Sequence, residues 1–193
     1  VVENGFTTIV ELGTTRSFVD GKFPGCNSDD IKFWQPDNPD VWDWAAGCFT
    51  RVVGELIQGT DIDFITVDLE PRHIRRSKVV TEGLDNIEHV VMSSEEFLEL
   101  GEGKIDFLYM DTGDMTPIEP TAELHLREAK IIVERDLISD KGIILIDDVR
   151  NTTPKIIAED ESDYGKAKYS IPYLIENGFE LVMDEYQVVL QKK

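Results

Sequence analysis

The sequence predicts an α/β fold, in which a mostly parallel seven-stranded sheet has helices on both faces and a C-terminal antiparallel hairpin. Short runs rich in Ile, Val and Phe alternate with longer helical patterns, as expected for strands buried on both faces. These runs cover residues 6–12, 62–68, 87–92, 105–110 and 142–146. Two further apolar runs, 179–183 and 186–190, are separated by only two residues. Because so short a connection cannot carry a parallel crossover, this pair predicts the hairpin.

The segments between the strands carry helical patterns. We expect helices at residues 41–58, 72–82, 94–100, 121–137 and 166–177. Gly178 follows the last of them, where a glycine commonly ends a helix. A repeated strand–helix–strand order implies right-handed crossovers between parallel strands.

A chain of 193 residues is long enough for one sizeable core, so we expect a single domain over residues 1–193. Residues 14–40 lack periodicity but contain four aromatic side chains. This segment predicts an ordered inserted loop that covers the carboxyl edge of the sheet. A strand pattern that begins by Phe6 leaves open that the chain is part of a longer protein.

The chain is strongly acidic, with a formal net charge of −20. Nucleic-acid binders need a basic face, so nucleic acid is not an expected partner. No apolar run approaches the roughly 18 residues of a membrane-spanning helix, so we expect no membrane contact. The densest basic cluster, residues 72–78, is interpreted as a solvated helix face, with a patch for an acidic ligand or partner as the alternative. We expect a cytoplasmic protein with a small-molecule partner, and a homodimer stays open.

The first strand ends in Glu11-Leu-Gly13-Thr14. A glycine at this point lets the backbone approach a ligand closely, although a plain turn glycine is the alternative. The dinucleotide-binding GxGxxG pattern is absent. Gly47 and Thr50 are interpreted as completing a glycine-rich turn at a helix start. Alternatively, Gly47 packs inside one continuous helix.

The second and third strands end in polar residues that suit an adenosine ligand. Asp68 closes the second strand, where a carboxylate accepts hydrogen bonds from ribose hydroxyls. Ser93 and Ser94 follow the third strand and precede two glutamates. This pattern predicts a helix N-cap with acidic residues in the first turn, and it leaves room for a contact with adenine.

Three aspartates close the fourth and fifth strands: Asp111, Asp147 and Asp148. If the two strands are neighbours, the carboxylates crowd together and call for a cation. Oxygen ligands suit Mg²⁺, Mn²⁺ or Ca²⁺. The alternatives are a salt bridge from Arg150, or a loop cap with the other acids facing water.

Together, these motifs resemble class I S-adenosylmethionine-dependent methyltransferases, which have a Rossmann-like sheet. The motifs are Val10–Gly13, Thr66–Pro71, Ser93-Ser94, Met110-Asp111 and Ile146–Asp148. Within that class the chain looks most like the metal-dependent small-molecule O-methyltransferases of the catechol and macrocin types. The resemblance covers residues 6–190.

The resemblance implies a role for each matching position. Glu11, Gly13 and Thr14 would line the methionine end of S-adenosylmethionine, Asp68 would hold the ribose, and Ser94 would lie near the adenine. The three aspartates would bind the metal. The chain departs from the catechol type in lacking the second cofactor-loop glycine. Asp114 stands where that type has its lysine base, and the third metal ligand is Asp148 instead of asparagine.

The leading hypothesis is therefore O-methylation of a small hydroxylated acceptor, a sugar or natural product, assisted by a divalent metal. Asp111 and Asp114 are the candidate catalytic residues, and His125 is an alternative proton acceptor. Two other classes stay open: a cephalosporin-hydroxylase-like metal enzyme, and a non-catalytic module of a carbohydrate-processing protein. A nicotinamide dehydrogenase is disfavoured by the missing GxGxxG pattern.

Overall fold

The computed structural model describes residues 5–16, 48–114, 117–149 and 164–193. Seven strands in these ranges form one sheet of order β3-β2-β1-β4-β5-β7-β6. The strands are β1 (Thr8–Leu12), β2 (Asp63–Asp68), β3 (Ile87–Val91), β4 (Ile105–Met110), β5 (Ile138–Ile146), β6 (Phe179–Asp184) and β7 (Val188–Lys192). Strands β1 to β5 pair in parallel, and β7 pairs antiparallel with both β5 and β6. The predicted fold class is confirmed.

Five α-helices lie among the described residues, with a single 3-10 turn, Gly165–Ala167, before the last. They are α1 (Phe49–Leu56), α2 (Pro71–Val80), α3 (Ser94–Leu100), α4 (Ile118–Glu134) and α5 (Ser170–Glu176). None of the helices in the described ranges is long and apolar enough to cross a membrane.

Alternation along the strands divides the core between the two faces of the sheet. Val10 and Leu12 of β1 belong to a large buried cluster that includes side chains of α3, α4 and α5. Ile9 belongs to a smaller cluster on the other face, against which Phe49 and Val53 of α1 pack. Successive strand residues point to opposite faces. Glu11 therefore projects toward the α1 face, which decides its role below.

Several predicted boundaries differ from the structure, and two of them lie around the start of β5. The helix predicted at 121–137 spans Ile118–Glu134, and β5 begins at Ile138 instead of residue 142. Asp136 has a φ of 54°, a left-handed conformation that lies just after the helix end. The composition of Asp140-Lys141-Gly142 is typical of a turn, yet these residues lie inside β5. The β4–β5 pairing shifts register across them, and Lys141 has a φ of 65°. Residues 41–47 of the first predicted helix lie outside the described residues.

The strand order reverses direction at β1. From β1 the chain proceeds to β2 and β3 on one side, and then returns to β4 and β5 on the other. In open α/β sheets, ligands bind at the carboxyl ends of the strands beside such a reversal. The topology therefore places a binding crevice above β1, between β2 and β4.

Candidate functional site

A cavity of about 660 Å³ lies at this reversal, and its size suits a small organic ligand. Its walls come from the segments that follow four strands and from one face of α4. The lining residues are Gly13, Thr14, Arg16, Val67, Asp68, Leu69, His73, Ser93, Ser94, Glu95, Asp111, Thr112, Gly113, Asp114, Leu124 and Arg127. The predicted cofactor residues Gly13, Thr14, Asp68, Ser93 and Ser94 are thus brought together.

Gly13 forms the floor of the cavity between β1 and β4. Its φ is 92°, and a Cβ at this position would lie 2.7 Å from the carbonyl oxygen of Asp111. The backbone is fixed on both sides, because the Gly13 N–H donates to Val67 O at 2.8 Å and the Asp111 N–H donates to Leu12 O at 2.9 Å. Only glycine fits this conformation and this approach without strain.

The Asp68 carboxylate lies in the cavity wall beside the Gly13–Thr14 turn. It accepts a hydrogen bond from the Thr14 N–H at 3.2 Å and another from the Glu70 N–H at 2.8 Å. The His73 ring lies 3.2 Å from both carboxylate oxygens. The sequence placed His73 on a solvated helix face. The signal for its true position was Pro71, because a proline in the first turn puts residue 73 close to the strand end.

Ser93 and Ser94 lie where the third strand gives way to α3. The Ser93 hydroxyl oxygen accepts the Glu96 N–H at 3.2 Å, which confirms the predicted N-cap. Ser94 hydrogen-bonds the buried carboxyl of Glu128, whose pKa is raised to about 7 chiefly by burial. The Thr112 hydroxyl donates to the same carboxyl at 2.9 Å. Sequence spacing gave no indication of Glu128, which lies on α4.

Glu11 and Thr50 lie beneath the cavity instead of lining it, contrary to their predicted direct contact with the cofactor. The hydroxyls of Thr50 and Thr66 both donate to Glu11 Oε2 at 2.6 Å. Burial raises the pKa of Glu11 to about 8, so the side chain is mostly protonated at neutral pH. These residues project toward the α1 face, away from the ligand side of the Gly13 turn. Gly47 lies outside the described residues.

The two candidate proton acceptors occupy contrasting positions. Asp114 lies at the cavity mouth, with its side chain 74% exposed and 2.9 Å from the guanidinium of Arg16. His125 is fully buried, and its Nε2 lies 3.0 Å from Thr112 O. Burial lowers the pKa of His125 to about 3, so the imidazole is neutral. His125 does not line the cavity and cannot reach an acceptor there.

Asp111, Asp147 and Asp148 do converge, as their positions at strand ends predict. Among the described residues, the cation beside them is Lys166, from the 3-10 turn before α5. Its Nζ lies 2.7 Å from Asp111 Oδ1 and 3.6 Å from Asp148 Oδ2, and its side chain is fully buried. The sequence analysis gave a salt bridge from Arg150 as the alternative to a metal, and Arg150 lies outside the described residues. Lys166 is 55 residues from Asp111 and belongs to no recognisable motif.

Over the described residues, the three aspartates are not arranged as a divalent-metal site, so the predicted Mg²⁺, Mn²⁺ or Ca²⁺ site finds no support there. Asp147 accepts hydrogen bonds from the Tyr109 hydroxyl, from Gln187 Nε2 at 2.8 Å and from the Asp148 N–H at 2.8 Å. Asp148 accepts one from the Tyr186 hydroxyl. Over the described residues, no group of three or more His, Cys, Asp or Glu side chains is arranged to hold a metal ion. The carboxylate oxygens are directed to protein donors instead.

No family model matches the chain, and no curated protein matches it. Solved structures do match. One, assigned as an rRNA-methylase from Clostridium thermocellum, is 12% identical with a TM-score of 0.58 over 100% of this chain and 94% of that one. The Podospora anserina methyltransferase PaMTH1 is 16% identical, with a TM-score of 0.59 over 99% and 74%. The N-methyltransferase NodS from Bradyrhizobium japonicum is 12% identical, with a TM-score of 0.56 over 97% and 78%.

The chain shares the fold of these solved structures. Its cavity lies at the strand-order reversal of that fold. The similar structures include rRNA- and N-methyltransferases, and they do not single out the metal-dependent small-molecule O-methyltransferases that the sequence resembles.

Proposed function

We propose that the protein is an S-adenosylmethionine-dependent methyltransferase. The observation that carries this proposal is the Asp68 carboxylate beside the Gly13–Thr14 turn, at the reversal of strand order. The fold supports it, as do two similar structures: PaMTH1 is bound to S-adenosylhomocysteine, and fibrillarin from Aeropyrum pernix is bound to S-adenosylmethionine. The absence of the GxGxxG pattern from the sequence counts against a nicotinamide cofactor.

The residues of the cavity fit the parts of this cofactor. Asp68 is oriented by two backbone N–H donors, and its free lone pairs can accept the ribose hydroxyls. Gly13 leaves the floor without a side chain, and Ser93 and Ser94 offer hydroxyls to an adenine edge. The cofactor, when bound, supplies a methyl group activated by a sulfonium. The protein would contribute mainly by positioning the acceptor.

We further propose that the acceptor is a small hydroxylated molecule. RNA is the alternative that one similar structure suggests. Each basic side chain of the described cavity wall lies next to an acid: Arg16 with Asp114, His73 with Asp68, and Arg127 with Glu95. A wall neutralised in this way, on a chain of net charge −20, offers little attraction to a polyanion. Asp114 at the mouth remains the candidate group for the acceptor proton.

Calorimetric titration with S-adenosylhomocysteine tests the proposal. We expect low-micromolar binding or tighter, and Asp68→Ala should weaken it by about 1.5–3 kcal/mol because hydrogen bonds to a charged group are lost. Asp63→Ala is the matched control, since Asp63 is an exposed aspartate at the other end of the same strand. Equal affinity in both variants would remove Asp68 from the site.

A thermal-shift comparison distinguishes the remaining hypotheses. A ligand that binds only the folded state raises the melting temperature. S-adenosylhomocysteine should raise it, whereas NAD should leave it unchanged. Methyl transfer to a panel of hydroxylated small molecules and to RNA then identifies the acceptor class. Cofactor binding without transfer to any of them would favour a non-catalytic module, and oxidation of the substrate would favour the hydroxylase-like alternative.

A further inference from the structure

Lys166 is a fully buried ammonium that contacts two of the three clustered carboxylates. The nearest oxygen, Asp111 Oδ1, lies at 2.7 Å, which is a charge-assisted hydrogen bond, and Asp148 Oδ2 lies at 3.6 Å. Burying an unpaired lysine is strongly unfavourable, so its presence here requires these partners. Asp111 in turn lines the cavity, so Lys166 is linked to the site through that one carboxylate.

The close approach of Gly165 to the end of β5 places this lysine beside the aspartates. Gly165 has a φ of 47°, and a Cβ there would lie 2.6 Å from the carbonyl oxygen of Val149. The 3-10 turn Gly165–Ala167 can therefore press against the end of β5, immediately after Asp147 and Asp148. Both neighbours of Lys166 in the turn are also buried.

The other donors in the cluster bind the Asp147 and Asp148 carboxylates. Asp147 is held by Tyr109 and Gln187, and Asp148 by Tyr186. Burial and the neighbouring carboxylates raise the pKa of both tyrosines, so their hydroxyls remain donors. Among the described residues, the cluster thus has three acids, one internal cation and neutral donors. A divalent ion would have to lie beside an ammonium that repels it.

We propose that the Lys166 ammonium is the built-in cation of this cluster and occupies the place where a divalent metal would otherwise bind. Lys166 is a positioning residue, because it holds the Asp111 carboxylate at the cavity wall without itself lining the cavity. The proposal concerns cation binding and is independent of whether the protein transfers a methyl group.

Titration with Mn²⁺, followed by the electron paramagnetic resonance signal of the free ion, tests this. Wild-type protein should bind Mn²⁺ only weakly and nonspecifically, as expected for a chain of net charge −20. Lys166→Met keeps the length and removes the charge. It should bind one Mn²⁺ per chain at least about tenfold more tightly than wild type, because the repulsion is gone and the acids remain. Lys166→Arg, which keeps the charge, should behave like wild type.

The double variant Lys166→Met/Asp111→Asn distinguishes binding at the cluster from binding at the surface. It should lose the tighter Mn²⁺ binding expected for Lys166→Met. Lys166→Met should also be less stable than wild type, and Mn²⁺ should raise its melting temperature while leaving that of wild type unchanged. If Lys166→Met folds but gains no Mn²⁺, the ammonium does not occupy a metal's place. If Lys166→Met does not fold, wild type is compared with Asp111→Asn. Tight Mn²⁺ binding by wild type that is lost in Asp111→Asn would overturn the proposal. Absence of tight Mn²⁺ binding by wild type would support it.

Discussion

Replacing Gly13 by alanine tests the close approach of the β1 end to β4. The φ of 92° costs an alanine about 1–2 kcal/mol, since L residues disfavour the left-handed region. The new Cβ would also lie 2.7 Å from Asp111 O, and relieving such an overlap costs about 1–3 kcal/mol. Neither strand end can yield easily, because each is held by a backbone hydrogen bond. We therefore expect Gly13→Ala to lower the free energy of unfolding by about 2–5 kcal/mol.

Gly103→Ala separates the two contributions. Gly103 has a φ of 96°, close to that of Gly13, but a Cβ there meets nothing within 4 Å. The free energy of unfolding of Gly103→Ala should therefore fall only by the conformational cost, about 1–2 kcal/mol. Urea unfolding followed by circular dichroism at the helix band measures both variants. Gly103 does not line the cavity, so affinity for S-adenosylhomocysteine should fall in Gly13→Ala and stay unchanged in Gly103→Ala. Equal stability losses in the two variants would refute the close-approach argument.

Two further predictions concern pH. Because the pKa of Glu11 is raised from 4.5 to about 8, the folded state holds a proton that the unfolded state has released, and the contribution of Glu11 to stability falls as pH rises from 4.5 to 8. Glu11→Gln should remove this contribution, so its stability relative to wild type should rise over that pH range in urea unfolding. Parallel stability curves for the two proteins would contradict the prediction. Burial opposes but does not cancel the lowering of the Asp106 pKa by donors from Ser139, Thr7 and Thr8, so Asp106→Asn should lower stability by about 1 kcal/mol. That loss of stability should vanish as pH falls below 3.8, where the Asp106 carboxylate becomes protonated. A loss that does not change with pH would show that the ionised carboxylate is not its cause.

The parallel strands were predictable because they are short, apolar and bounded by polar residues. Sequence and structure agree on β2 and β4 to within a residue at each end. The start of β5 was not predictable, because Asp140-Lys141-Gly142 has the composition of a turn. It continues as strand because tertiary pairing outweighs local preference, with Ile143 and Ile144 paired to β4 on one side and β7 on the other.

The candidate site was predictable wherever it follows from strand ends. Gly13, Asp68 and Ser93 each lie at or just after the end of a strand, so topology alone brings them to one edge. Contacts made by side chains on later elements had no such signal. Glu128 reaches Thr112 from the middle of α4, and Lys166 reaches Asp111 from a turn that no periodicity marks. Strand alternation turns Glu11 toward the α1 face, but its two hydroxyl donors, Thr50 and Thr66, lie on other elements and had no sequence signal.

The order of the last three strands constrains when the sheet can be completed during synthesis. Strand β6 is made before β7, yet it touches the rest of the sheet only through β7, which lies between β5 and β6. Val188 and Leu190 of β7 are fully buried. Until these residues have left the ribosome, the nascent chain exposes the apolar edge of β5, and β6 has no sheet partner. Unpaired strand edges are sites of aggregation, so the nascent sheet is protected only once β7 has paired with β5 and β6.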